Sequence, residues 1–235
     1  MVIEFLYPAL GYLYGEAAQA TFIEKCFPQA EIVKTELCDE PAFTQRKVDL
    51  IYLGPLSENR QEAVIKALMP YRDQIENLIN GGTAWLATGN ALEIFGEYIE
   101  REDGSHVDGL GIFPLHAKRD MANRYNSLYL GNYRGLKIVG YKAQFSHSFG
   151  YLGGIGAIHT IRGDGINPDE VCEGLACKNF FATYLLGPLL IMNPHFAKVW
   201  LKNVTGENVE LPFEKDLVAA YERRLREYER RGIKF

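Results

Sequence analysis

The chain has 235 residues, 47% hydrophobic and 23% charged, with a formal net charge of −5, which is material for one large core rather than a disordered chain. The acidic balance excludes a protein whose main partner is nucleic acid, because phosphate binding needs a basic face. No apolar run approaches the about 20 residues of a membrane helix, and Cys26, Cys38, Cys172 and Cys177 stand in no metal-binding spacing, so no metal, no cofactor and reduced thiols are expected.

The N-terminus carries Glu4 and is broken by Pro8 and Gly11, unlike a secretory leader; a cytoplasmic protein without membrane insertion is expected. Residues 2–7, VIEFLY, are a β-branched and aromatic run stopped by Pro8 and predict the first strand. Ala17, Ala20, Phe22, Ile23 and Cys26 fall at helical spacing within 16–27. Residues 30–37 alternate as a second strand. VDLIYL at 48–53 is almost continuously apolar, the pattern of a parallel strand buried on both faces. A long helix is expected over 61–80, then a short apolar strand over 84–87. That alternation predicts a doubly wound sheet whose sites lie beyond the carboxyl ends of its strands.

Residues 97–160 are rich in Gly, Tyr, Phe and His. They read as extended pieces at 98–102, 111–116, 127–130, 136–141 and 155–161, an antiparallel region over or beside the sheet, with a tight turn at Asp103-Gly104. Two more strands are expected within 171–185 around Lys178-Asn179. Pro194 starts a helix to 202. Residues 214–231 form a charged helix with an apolar stripe of Leu217, Val218, Tyr221, Leu225 and Tyr228. No linker divides the chain, so residues 1–212 are expected to form one domain and 213–235 a charged helix that packs on it or docks a partner.

The candidate site is the stretch TAWLATGNALEIFG, residues 83–96. An apolar strand gives way at Thr88-Gly89-Asn90 to helical spacing at Ala91, Leu92, Ile94 and Phe95. Strand, sharp turn and helix in that order describe a nucleophile elbow, which presents one side chain at a strand end above a helix N-terminus. Its apex is Gly89. Glycine tolerates the backbone such a turn needs but brings no nucleophile.

Five blocks then carry a resemblance: LYPALGYLYGE at 6–16, IYLGPLSENRQE at 51–62, WLATGNALEIFG at 85–96, DGLGIF at 108–113 and CKNFFATYLLGPLLIMNP at 177–194. In order and spacing they resemble class I glutamine amidotransferases of the cobyric acid synthase-like type, most of all the glutaminase subunits of lipid II isoglutaminyl synthase. The resemblance implies a flavodoxin-like three-layer α/β/α sandwich, mostly parallel, with an extra antiparallel region. It implies an elbow cysteine that attacks the glutamine side-chain amide, a histidine that activates it, and ammonia passed to a Mur-ligase-like ATP-dependent subunit that amidates peptidoglycan precursors.

The family's cysteine position falls on Gly89 and its histidine position on Leu186. Where a glycine-rich oxyanion loop is expected stand Gly54, Pro55 and Leu56, and Pro55 has no N–H to donate. Arg124 is the nearest candidate for an arginine that would hold a glutamine carboxylate. The expectation is therefore a catalytically inactive binding or scaffold subunit, with Gly54, Thr88, Gly89, Asn90 and His147 around a pocket that takes a small ligand above Gly89. The alternative is an active hydrolase or transferase that uses His147 or Thr88. A rescue nucleophile at Cys177 is the least favoured.

Overall fold

The computed structural model describes residues 1–230. The first half alternates as the sequence predicts: β1 (Val2–Leu6), α1 (Ala17–Cys26), β2 (Glu31–Thr35), β3 (Leu50–Leu53), α2 (Glu58–Leu68), α3 (Arg72–Gly81) and β4 (Ala84–Thr88). Every residue of β3 and β4 is buried, which is why both read as unbroken apolar runs. The single helix expected over 61–80 is two. Pro70 sits in a 3-10 turn, Met69–Tyr71, between them, because proline has no N–H to continue the hydrogen bonds of the preceding helix.

The second half holds β5 (Tyr98–Glu100), β6 (His106–Asp108), β7 (Leu115–Arg119), β8 (Tyr125–Tyr133), β9 (Leu136–Gln144), β10 (Ser146–Gly150), β11 (Gly156–Arg162), β12 (Cys172–Cys177) and β13 (Phe180–Thr183). It closes with α4 (Leu189–Met192), α5 (Pro194–Thr205) and α6 (Glu214–Glu229). The strand expected at 111–116 begins only at Leu115, since Gly111 holds φ 60° and Pro114 precedes it. β8 and β9 are longer than expected and join at Arg134 and Gly135, both at positive φ. Two such central residues make the tight hairpin turn whose twist suits its strands.

Nine strands form one sheet in the order β2-β1-β3-β4-β13-β12-β11-β8-β9. The first five are parallel and the remaining pairings antiparallel. The sheet is thus evenly mixed, not mostly parallel, although the parallel strands follow the flavodoxin order. Alternate residues feed two cores. Ile51, Trp85 and Phe180 pack toward α2 and α3, and Tyr52, Leu86 and Phe181 toward α1 and α5. A four-stranded sheet, β10-β7-β5-β6, lies over the first core.

The C-terminal helix lies against the β9 side of the sheet. Tyr221, Leu225 and Tyr228 rest on Leu130, Val139 and Met192, and the Tyr221 hydroxyl donates to the Lys137 carbonyl at 2.9 Å. The last residue of the expected helix, Arg231, lies outside the described residues. Among the described residues no helix is long and apolar enough to cross a membrane.

β9 is an edge strand, and unpaired edges invite pairing with another chain. Buried Asn193 answers part of that edge: its Oδ1 accepts from Val139 N and its Nδ2 donates to Val139 O, both at 2.8 Å. Asn193→Ala strands both backbone groups and should cost about 1–3 kcal/mol. Urea unfolding with an unchanged m-value checks it; a loss below a few tenths of a kcal/mol contradicts the edge-capping role.

Candidate functional site

The turn after β4 is an elbow. Thr88 is extended and Gly89 holds φ 62°. The helix expected from Ala91 is instead a seven-residue 3-10 turn, Gly89–Phe95. A Cβ placed on Gly89 would lie 2.6 Å from Pro55 Cβ and 3.3 Å from Leu186 Cδ2. The first distance is well inside van der Waals contact, so Pro55 occupies the space into which a side chain at this apex would project. The two positions singled out by the resemblance therefore face each other in space, one without a side chain and the other a leucine buried to 1% exposure. Leu186 is fixed there by paired backbone bonds with Tyr141.

Above Gly89 a cavity of about 10 Å³ remains, lined by Tyr14, Pro55, Asn90, Gln144, Phe145 and Leu186 among others. That is room for a single water. The Arg124 guanidinium lies 5.3 Å from the Tyr14 ring and 5.4 Å from the Phe145 ring, and it donates to the Tyr14 hydroxyl at 2.6 Å. Arg124 thus holds an aromatic hydroxyl in place of a ligand carboxylate.

The polar groups near the turn are already engaged. Asn90 accepts from Leu56 N at 2.9 Å and donates to Leu56 O at 2.8 Å. Thr88 is fully buried, and its hydroxyl donates to Glu16 Oε2 at 3.2 Å. The same oxygen accepts from the Tyr52 hydroxyl at 3.1 Å, and Oε1 accepts from Gly187 N at 3.0 Å. Burial pushes the Glu16 carboxyl above its ordinary range against the pull of these three donors. On the other side Glu93 accepts from Gln61 at 2.8 Å, from the Tyr184 hydroxyl at 2.9 Å and from the Ser146 hydroxyl. Its carboxyl is raised by burial too. Neither carboxylate is marked by a local pattern: Glu16 opens the helix expected over 16–27, and Glu93 lies among the apolar positions Ala91, Leu92, Ile94 and Phe95.

The remaining expected residues are dispersed. Gly54 lies under the Tyr12 ring, whose Cδ1 would be 2.7 Å from an added Cβ. His147 is a strand residue. It sits on β10 opposite Lys118, against the Tyr125 ring, and does not line the elbow cavity. Burial lowers its pKa, with Lys142 acting in the same direction. Cys177 pairs with Phe180 at the amino end of β13, whereas the elbow follows the carboxyl end of β4. Among the described residues no cluster of three or more His, Cys, Asp or Glu is placed to hold a metal ion.

A family model described as the CobB/CobQ-like glutamine amidotransferase domain matches residues 28–193. Two relatives are subunits named GatD of lipid II isoglutaminyl synthase (glutamine-hydrolyzing). The one from Streptococcus pneumoniae (strain ATCC BAA-255 / R6) is 24% identical over 232 residues, covering 92% of this chain and 86% of the relative. The one from Staphylococcus aureus (strain N315) is 25% identical over 182 residues, 76% of this chain and 72% of the relative. In fold the chain is similar to a solved glutamine amidotransferase, with a TM-score of 0.55 at 11% identity over 86% of this chain and 98% of that one. It is equally similar to PurLQS from Thermotoga maritima, with a TM-score of 0.55 at 12% identity over 95% and 98%.

Glu16 makes the elbow sensitive to pH in an unusual direction. A carboxyl whose folded pKa lies above its ordinary 4.5 binds more protons folded than unfolded, so its contribution to stability is full below that value and is lost as pH rises through the folded pKa. The stability of wild type minus that of Glu16→Gln should therefore fall as pH rises above 4.5. Thermal unfolding across that range checks it; a flat or rising difference contradicts the assignment.

Proposed function

The chain belongs to the CobB/CobQ-like glutamine amidotransferase family, and from that premise we propose that it is a member without glutaminase activity that serves as a binding subunit. The observation that carries this reading is the contact at the apex: Gly89 offers no side chain, and the place where one would begin is 2.6 Å from Pro55 Cβ. Thiol-based amide hydrolysis needs a nucleophile, an adjacent base and donors for the oxyanion. Gly89, Leu186 and Pro55 stand at those three positions, and losing the nucleophile alone costs related triad enzymes several orders of magnitude.

The partner proposed is a Mur-ligase-like ATP-dependent subunit that forms an amide on a peptidoglycan precursor, or an active glutaminase homologue. The support is the likeness to two subunits of lipid II isoglutaminyl synthase over 92% and 76% of this chain. The flavodoxin-like sandwich, cytoplasmic location and a single body with α6 as its final element belong to the same reading. The alternative that uses Thr88 or His147 gains nothing from the geometry, since Thr88 is fully buried on Glu16 and His147 lies in the second sheet.

Incubated with glutamine, alone or with a purified Mur-ligase-like subunit, the chain should release ammonia only at the uncatalysed rate. Sedimentation of the two proteins should give a stoichiometric complex. Glutaminase turnover that Thr88→Ala or Cys177→Ser abolishes defeats the first half of the proposal, and no association with any such subunit at tens of micromolar defeats the second.

A second expectation concerns the apex. Gly89→Cys combined with Leu186→His should leave the ammonia rate at background, because Pro55 still fills the space. The Gly89→Cys change alone should cost roughly 1–3 kcal/mol through overpacking, read by urea unfolding. A stable, active double variant means that Pro55 is not the obstruction.

A further inference from the structure

We infer that the segment from Pro8 to Gly15 is a hinged cover over the elbow cavity, latched shut by Arg124. Its two ends are anchored. Tyr7 is 1% exposed with its N–H on the Thr35 carbonyl at 2.7 Å, and Glu16 is fully buried on three donors. Between these anchors Gly11 and Gly15 flank three residues, and Gly15 itself holds φ 84°. Anchored ends and glycine joints are the make-up of a segment that swings as a unit.

Two features show that the closed position is held from outside. Tyr12 and Tyr14 sit at φ 64° and 59°, a region in which bulky side chains are strained and persist only where surrounding contacts enforce it. Leu10 and Tyr12 pack against the two cores, and further contacts hold the rest. Arg124 donates to the Tyr14 hydroxyl at 2.6 Å, Arg60 donates to the Leu10 carbonyl at 3.0 Å, and Tyr12 stacks on Tyr52 with centroids 5.6 Å apart. Tyr14 remains 41% exposed, so burial contributes little at the tip.

The closed state also leaves polar atoms unanswered. Gln144, 5% exposed and lining the cavity, has no hydrogen-bond partner at Oε1, and the buried Tyr12 hydroxyl has none either. Leaving a buried polar atom unpaired is costly, because it has given up water without a replacement. Lifting the cover admits water to both, relaxes two strained residues and frees the Arg124 guanidinium toward the cavity mouth. The hydrogen bond and the cation–π contact between Arg124 and Tyr14 oppose this, and they lie at the surface where they can be broken. Anything larger than one water that reaches Gly89 must first displace Tyr14.

Amide-resolved hydrogen exchange tests the cover independently of any glutaminase or partner-binding result. In Arg124→Ala the amides of residues 9–15, together with those of Gly89 and Asn90, should exchange at least tenfold faster, while those of β1 and β4 stay within twofold of wild type. Tyr14→Phe, which deletes the hydrogen bond but keeps the ring, should give a smaller rise over the same residues. Exchange of residues 9–15 unchanged in Arg124→Ala overturns the inference, and so does an equal rise in β1 and β4, which marks general destabilisation rather than a latch.

Discussion

A proline ring resting on a glycine in the left-handed region sets the character of this elbow. The contact follows from register. β3 and β4 pair with Leu53 opposite Ala87, so two residues beyond that pair the chains bring Pro55 onto Gly89. β13 pairs with β4 so that Thr183 lies opposite Thr88, which sends Leu186 to the same place from the other side. Three parallel strands thus converge on one point, as strand ends do in doubly wound sheets. What they deliver there is hydrocarbon. The backbone keeps the turn that elsewhere displays a nucleophile, and packing has taken over the volume a nucleophile would use.

Two buried carboxylates hold that turn from below and from the side. Glu16 joins the loop after β1 to Tyr52, Thr88 and Gly187. Glu93 joins the 3-10 turn to α2, β10 and the residue after β13 through Gln61, Ser146 and Tyr184. Burying a carboxylate is expensive unless its oxygens are satisfied, and here each carboxylate accepts three hydrogen bonds. Such networks fix one arrangement because any shift leaves charge unpaired in a low dielectric. The elbow is therefore held in one arrangement from both sides.

The parallel half was legible because its signal is burial on both faces, which leaves apolar runs such as 48–53 and 84–87. The turn at Gly89 was legible for the same reason, a glycine between an apolar strand and a change of period. The antiparallel half was read more poorly. β10 alternates buried Ser146 and Ser148 with half-buried His147 and Phe149, so its inward residues are polar and their partners, Glu93 and Tyr184, lie tens of residues away in sequence. Nothing local marks a serine as a buried hydrogen-bond donor. Pro55 was read as a missing N–H, which is a local property, whereas its larger effect is volume placed on Gly89 from another strand. Long-range satisfaction and long-range packing are what a single sequence hides.

A site kept for catalysis carries uncommitted polar groups aimed at a space where substrate will sit. Around Gly89 the opposite holds for nearly every group. The Asn90 amide is committed to Leu56 at both ends, the Thr88 hydroxyl to Glu16, and the Gln61 amide to Asn90 O and Glu93. Of the exceptions, Gln144 Oε1 lines the cavity beside Tyr14, and the Tyr12 hydroxyl belongs to the segment of the left-handed tyrosines itself. Strain and unsatisfied polarity thus meet along Tyr12–Tyr14 and Gln144, whereas Thr88 and Asn90 at the turn are tied down by hydrogen bonds from distant parts of the chain.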